Sequence, residues 1–381
     1  MAKSAPRIAI VGGGLGGLAA AALLQAEGYS VHVYEQAQTF TRLGAGIHLG
    51  PNLMKVLQRI GIATRVIETG VSPDRWVSRK WDDGRVLLDF EIGERAARRY
   101  GVNYMMVHRG DFHARLFDAI RPESISLGKR VVEIDPIGSA AKLAFEDGSK
   151  AEADIVIGAD GVRSRMREVL LGPDEPQFSG QVAYRSVFPA ALLGRDFKMA
   201  DCVKWWGEDR IFLVYYITRA HDEMFLVTAS PQAEWPHPTS SVPGDLDGMR
   251  AAFAGFHPEV QRIASLCPQA TKWAMYDHEP FPLWSRGRIV LLGDACHPML
   301  PFMGQGAAMA IEDAAMLTRC IKASPTDFEF AFQLYELNRK SRTASIQEES
   351  RKNVWLKDSA DPDWVFGYDV NEEPLIYPDK R

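Results

Sequence analysis

Three stretches of the 381-residue sequence hold residue types at spacings that chemistry can use. The first is Gly12-x-Gly14-x-x-Gly17. It lies between an apolar, β-branched run at 7–11 and a helix-forming run that stops at Gly28, and Glu35 closes the next strand-like run. Strand, glycine turn, helix, strand and acid form a dinucleotide fingerprint. The glycines admit a tight turn and close backbone approach, the helix N-terminus faces the pyrophosphate, and the carboxylate accepts from ribose hydroxyls. The second stretch is Gly158-Ala159-Asp160-Gly161-Val162-Arg163-Ser164, directly after the apolar run at 155–157. The third is Gly293-Asp294-Ala295-Cys296-His297-Pro298, after the run at 289–292, and it continues into Gly304-Gln305-Gly306-Ala307 before a helix. That helix directs its N-terminal amides and dipole at whatever the loop holds. Taken singly, each of the last two also reads as a structural turn.

The elements that must position these residues follow from pattern. The first 35 residues make a βαβ unit, which belongs to a parallel sheet covered on both faces. Beyond a charged, irregular stretch at 76–100, a helix follows His108-Arg109-Gly110-Asp111, and strands are expected at 131–134, 141–145 and 155–157, with Asp147-Gly148 as a turn. Residues 178–275 are rich in aromatics and prolines, with short strand-like runs at 211–216 and 224–228 and one helix near 247–254. The βα texture returns at 288–292 with a helix over about 307–321; a last helix over roughly 328–356 precedes an extended polar tail with Pro362, Pro374 and Pro378. The expected fold is α/β. A discontinuous Rossmann-like dinucleotide-binding domain takes 1–75, 101–177 and 276–325, a mainly β domain takes 76–100 and 178–275, and 326–381 form the C-terminal helix and tail.

Composition narrows the function classes. Hydrophobic residues are 46% and charged residues 24%, ordinary for a globular chain, which excludes long disorder and coiled coil. Lys plus Arg is 44 against 49 Asp plus Glu, a formal charge of -5 without a basic run, so no nucleic-acid partner is expected. The four cysteines are far apart, with no C-x-x-C pair, and read as reduced thiols of a cytoplasmic protein rather than a disulfide framework. Lys3 and Arg7 ahead of the apolar run at 8–24 imitate a signal peptide, but five glycines interrupt the run and no membrane span is expected. The spacings suggest no metal site, and a monomer or homodimer is expected.

In this order and on these strands, the three stretches resemble the class A flavoprotein aromatic hydroxylases, the p-hydroxybenzoate hydroxylase family, over nearly the whole chain. The resemblance implies a Rossmann-like FAD-binding domain with a mainly β substrate domain. It also implies a single-component monooxygenase using FAD, NADH or NADPH as electron donor, O2 as co-substrate and a small aromatic substrate. No second G-x-G-x-x-G occurs, so NAD(P)H has no domain of its own, which favours a hydroxylase over a reductase. Carried over residue by residue, the resemblance places Gly12, Gly14, Leu15, Gly17, Glu35, Gln36, His48, Arg109, Val131, Asp160, Asp294, Gly304, Gly306 and Ala307 around the FAD. Arg109 would meet its phosphates and Asp294 its ribityl chain. It places His48, Cys202, Tyr215 and Pro301 around the substrate, although a buried cysteine is ordinarily a small hydrophobe.

Within the family, the stretches at 41–51, 202–206, 214–216, 283–286, 311–320 and 364–369 are similar to the branch that acts on 6-hydroxynicotinate. That similarity implies hydroxylation at the ring carbon bearing the carboxylate, with loss of carbon dioxide, to 2,5-dihydroxypyridine. The chain departs from that branch at Ile211 and Phe302, where the branch has histidines, and at Leu300, where it has lysine. A salicylate hydroxylase-like or other hydroxypyridine-carboxylate activity is the alternative; from a different class, a NAD-dependent dehydrogenase could use the same fingerprint. Oxygen transfer needs an electron-rich ring, so a ring hydroxyl must be deprotonated or strongly hydrogen-bonded, a task suited to a histidine of near-neutral proton affinity. His48, on a loop with Gly44, Gly46 and Gly50, is the first catalytic candidate. Tyr215 is the second, and since it alternates with Tyr216, one of the two must face the core. His297 is expected to be structural.

Overall fold

A computed structural model describes residues 6–42, 44–135, 140–359 and 361–378; Lys3 of the leader-like start and Leu43 of the loop before His48 lie outside the described residues. Two large sheets dominate. The first has six strands in the order Ser285–Arg286, Ile289–Leu291, Ile155–Gly158, Arg7–Val11, Ser30–Tyr34 and Ile125–Ser126, all parallel except the first edge strand. Val11 lies beside both Gly158 and Tyr34, and Gly158 beside Leu291. The carboxyl ends are therefore level, and the loops after Val11, Tyr34, Gly158 and Leu291 emerge together, where open α/β sheets bind ligands.

The helices against this sheet are built from small residues. Leu15–Ala26 is buried from Leu15 through Gln25 and packs on Gly306–Ala323, which is buried over most of its length. A helix buried all round has little amphipathic periodicity. Gly16 makes the closeness plain, because a Cβ there would lie 2.6 Å from a Leu292 methyl.

The second sheet has eight strands, ordered Ser241–Pro243, Thr271–Asp277, Gln177–Pro189, Glu223–Pro231, Ile211–Tyr216, Cys202–Trp206, Arg75–Lys80 and Val86–Glu91. The stretch at 76–100 is thus regular, contributing two strands and the helix Gly93–Tyr100. One sheet face, with Val77, Val203, Trp205, Phe212, Val214 and Leu226, packs on the helices Leu246–Ala252 and Pro258–Leu266. The second of these helices was absent from the sequence expectation. The other face turns toward the six-stranded sheet.

The C-terminal helix, Phe328–Lys352, stops at Asn353 in a left-handed conformation. The tail beyond is not simply extended: it forms a short helix, Asp363–Phe366, and buries Val365, Phe366 and Val370. Arg339 of the long helix is fully buried and binds Glu312 Oε2 and Asp313 Oδ1, both at 2.7 Å. Arg342 reinforces Glu312 at 2.8 Å. Removing one partner from such a cluster strands a buried charge. Arg339→Met is therefore expected to lose about 3–5 kcal/mol of unfolding free energy in urea; an unchanged midpoint and slope would show that the cluster does not hold the fold.

Candidate active site

The cleft has two parts: an inner chamber of about 430 Å3 between the two sheets, and an outer chamber of about 540 Å3 at the carboxyl ends of the six-stranded sheet, which shares Gly14, Ala159 and Gly161 with it. The outer chamber gathers Gly12, Glu35, Gln36, Val131 and Asp160. Gly12 has φ +108°, and a Cβ on it would sit 2.3 Å from the Ala159 carbonyl oxygen; one on Gly17 would sit 2.1 Å from the Gly12 carbonyl oxygen. Gly17 therefore serves the turn from beneath rather than lining the cleft. Gly14 borders open space, and the helix it precedes has no side-chain cap, leaving its first amides free for a ligand. Glu35 accepts from the Gly13 and Ala37 amides, both at 2.7 Å, which fixes its carboxylate at the rim with lone pairs to spare.

Asp160 has a different task. It accepts from Ser164 Oγ and the Met166 amide, and so holds the start of the helix Arg165–Leu171 against the cleft. Asp294 opens into the inner chamber, where surrounding protein raises its carboxyl proton affinity and Arg109 opposes the rise. Arg109 also lines this chamber and has no hydrogen-bonded acid among the described residues. Leu15, Pro301, Gly304, Gly306 and Ala307 complete the wall, and the helix beginning at Gly306 likewise lacks a side-chain cap. Two uncapped helix N-termini, an unpaired guanidinium and a glycine turn that a Cβ would fill together fit an elongated dinucleotide carrying a diphosphate.

His48 lies on the short strand Gly46–Leu49, paired with Met105–His108. Its Nδ1 meets the Tyr104 hydroxyl at 2.7 Å, and its Nε2 is buried without a partner. Burial, assisted by the nearby Lys204 charge, pushes its proton affinity down to about 3. The imidazole is thus neutral rather than poised near neutrality. In the tautomer that donates Nδ1–H to Tyr104, Nε2 is left with a lone pair that no described residue meets.

The sheet decides between the two tyrosines. Tyr215 is on the cleft face, its ring centroid 4.2 Å from that of His48, and burial keeps its hydroxyl protonated. Tyr216 points the other way and meets His221 edge to face. Cys202, the cross-strand partner of Tyr215, is fully buried, and the wall of the chamber does not include it. It packs as a small hydrophobe. His297 is structural, bonded to Asp313.

Several wall residues had no part in the sequence reading: Trp76, Tyr104, Arg185, Lys204 and Trp355. Lys204 did leave a signal, a lone cation between Cys202 and Trp206 in an otherwise apolar strand. Tyr104 and Trp355 left none, since both reach the chamber from outside the strands of the large sheet.

Removing the Glu35 carboxylate leaves the Gly13 and Ala37 amides without their acceptor and would leave ribose hydroxyls placed at this rim unpaired. Glu35→Ala should weaken FAD retention by roughly 1–3 kcal/mol, read by titrating apoprotein with FAD; unchanged affinity would remove Glu35 from the site.

Comparison with known proteins agrees with this geometry. A family model described as an FAD binding domain matches residues 6–326. The chain is 50% identical to 6-hydroxynicotinate 3-monooxygenase of Bordetella bronchiseptica over 372 residues, covering 97% of each chain. It is also 50% identical to the enzyme of that name from Pseudomonas fluorescens, covering 99% of this chain and 98% of that one. Among solved structures, a salicylate hydroxylase substrate complex superposes with a TM-score of 0.83 at 26% identity, covering 97% of both chains. The glycine turn, the level loop ends and the matched 6–326 span have one reading: this chain belongs to the FAD-binding, class A flavoprotein aromatic hydroxylases.

Proposed function

We propose that this FAD-dependent monooxygenase hydroxylates a small hydroxylated aromatic carboxylate, and that 6-hydroxynicotinate is the first substrate to test. The overall change would be 6-hydroxynicotinate, O2, NADH and two protons giving 2,5-dihydroxypyridine, carbon dioxide, NAD+ and water. FAD, when bound, supplies electron transfer from NAD(P)H and activation of O2. The residues of this chain bind, orient and exclude water.

The observation that carries the reading is the buried, unpartnered Nε2 of His48 beside Tyr215 in a largely apolar chamber. Such an acceptor is costly unless a ligand donor meets it. A ring hydroxyl is a donor of the right kind. As it gives its proton toward Nε2, electron density rises in the ring, and Tyr104 steadies the far side of the imidazole. Tyr215, held protonated, serves as a donor to a ring substituent.

A second reading has its own support. Ile211, Leu300 and Trp206 share one apolar cluster with Phe302 packed on it. Ile211 and Phe302 reach the chamber wall from that cluster, and such an apolar edge suits a benzenoid ring as well as a pyridine one, which favours a hydroxybenzoate such as salicylate as the next candidate.

The test is NADH oxidation by the FAD-loaded enzyme on both rings, with product and hydrogen peroxide quantified. His48→Asn should keep FAD and lose about 100- to 10,000-fold in hydroxylation, with a larger peroxide fraction, and Tyr215→Phe should lose less. Wild-type hydroxylation and coupling in the His48 variant would exclude His48 from the proton path; no stimulation by either ring would reject the substrate class.

A further inference from the structure

Three cations line the inner chamber without a hydrogen-bonded acid among the described residues: Arg109, Arg185 and Lys204. Arg109 lies near Asp294, on the side expected to meet the cofactor. Arg185 and Lys204 end one cross-strand row of the large sheet, Arg185, Val227, Leu213 and Lys204. At about 4.8 Å per strand, their backbones are about 14 Å apart, so they mark opposite sides of the chamber.

Lys204 is the more unusual of the two. Its residue is 2% exposed, and its ammonium sits 3.6 Å from the centre of the Trp206 ring. It donates no hydrogen bond to any described residue. That ring is held firmly: Trp206 Nε1 and Trp76 Nε1 each donate to Ser78 Oγ at 3.1 Å, and Ser78 donates to the Leu356 carbonyl. On the wall, Leu213 pairs directly with the lysine, and Val227 lies one strand further along the row. Burial pulls its proton affinity down to about 7. Lys357 lies 5.8 Å from the same ring centre and adds a like charge, while His48 is neutral and the Cys202 thiol and Tyr215 hydroxyl remain protonated, so no described group here supplies a negative charge. An ammonium in such surroundings is an expensive group to keep unless an anion meets it.

We propose that Lys204 recognises the carboxylate of the substrate, and that this one ammonium sets the preference for an anionic ring over its neutral analogue. The proposal rests on the ring-carboxylate reading above. Ile211 and Phe302 on the wall leave this edge of the chamber apolar, with Lys204 as its charge. In that low-dielectric setting, the pairing gains more than it would in water. The Trp206 ring, fixed through Ser78, keeps the ammonium in place as the ligand enters.

The test is equilibrium binding, followed by the change in flavin absorbance of the FAD-loaded protein without NAD(P)H. Each ring is offered as carboxylate and as carboxamide: 6-hydroxynicotinate with 6-hydroxynicotinamide, and salicylate with salicylamide. The wild type should prefer each carboxylate. Lys204→Met and Lys204→Gln should lose at least about 30-fold in carboxylate affinity, with little change for the amides. Either variant binding carboxylates as tightly as the wild type, or losing carboxylate and amide equally, overturns the proposal. A wild type that binds none of these rings overturns the functional reading, and this proposal with it.

Discussion

Arg339, Glu312 and Asp313 meet out of reach of solvent, and each partner in that meeting also holds a piece of the cleft. Glu312 takes the side-chain amide of Asn52, which follows the His48 strand and also binds Gln305, just ahead of the helix that begins at Gly306. Asp313 takes the Gly293 amide and His297, so it anchors the loop that presents Asp294. Arg342 links Glu312 to the carbonyls of Trp364 and Val365 in the C-terminal tail. A buried cluster of this kind is weak evidence for net stability. Its place in the fold is that of a locating pin, through which the catalytic histidine candidate, two cofactor loops and the tail share one reference point.

The second constraint is the two-residue alternation of the strands. The large sheet must cover an apolar helical layer on one side and build a chamber on the other. Trp205, Phe212 and Val214 go to the first side, and Lys204, Leu213 and Tyr215 to the second. Burial then shapes the chemistry. His48 is neutral, Tyr215 stays protonated and the Lys204 ammonium is weakened, all mainly by burial. A chamber so arranged suits a proton acceptor for the ring hydroxyl and a charge for the ring carboxylate.

Much of the cofactor side was legible in the sequence, because its signals are local. Glycines at fixed spacing and an acid at the end of the next strand report a backbone geometry that depends on close neighbours. Gly12, Gly17 and Glu35 stand where that logic puts them. The substrate side was less legible, because it is assembled across strands that are distant in sequence. Tyr215 could not be told from Tyr216 until the sheet register was known, and Cys202 falls behind the wall although both its cross-strand partners, Trp76 and Tyr215, line it. Tyr104 steadies His48 from a segment 56 residues away, a pairing that no spacing rule announces. The helix Pro258–Leu266 escaped notice amid prolines and aromatics because its apolar stripe, Val260, Ile263 and Ala264, is short.

The most direct test of the account is turnover of 6-hydroxynicotinate and of salicylate by the FAD-loaded enzyme with NADH under 18O2, followed by mass spectrometry of the ring product. The account predicts that at least one of the two rings gains a single heavy oxygen atom, accompanied by loss of carbon dioxide for 6-hydroxynicotinate. Ring products without label, or NADH oxidation that yields hydrogen peroxide alone with both rings, would contradict it.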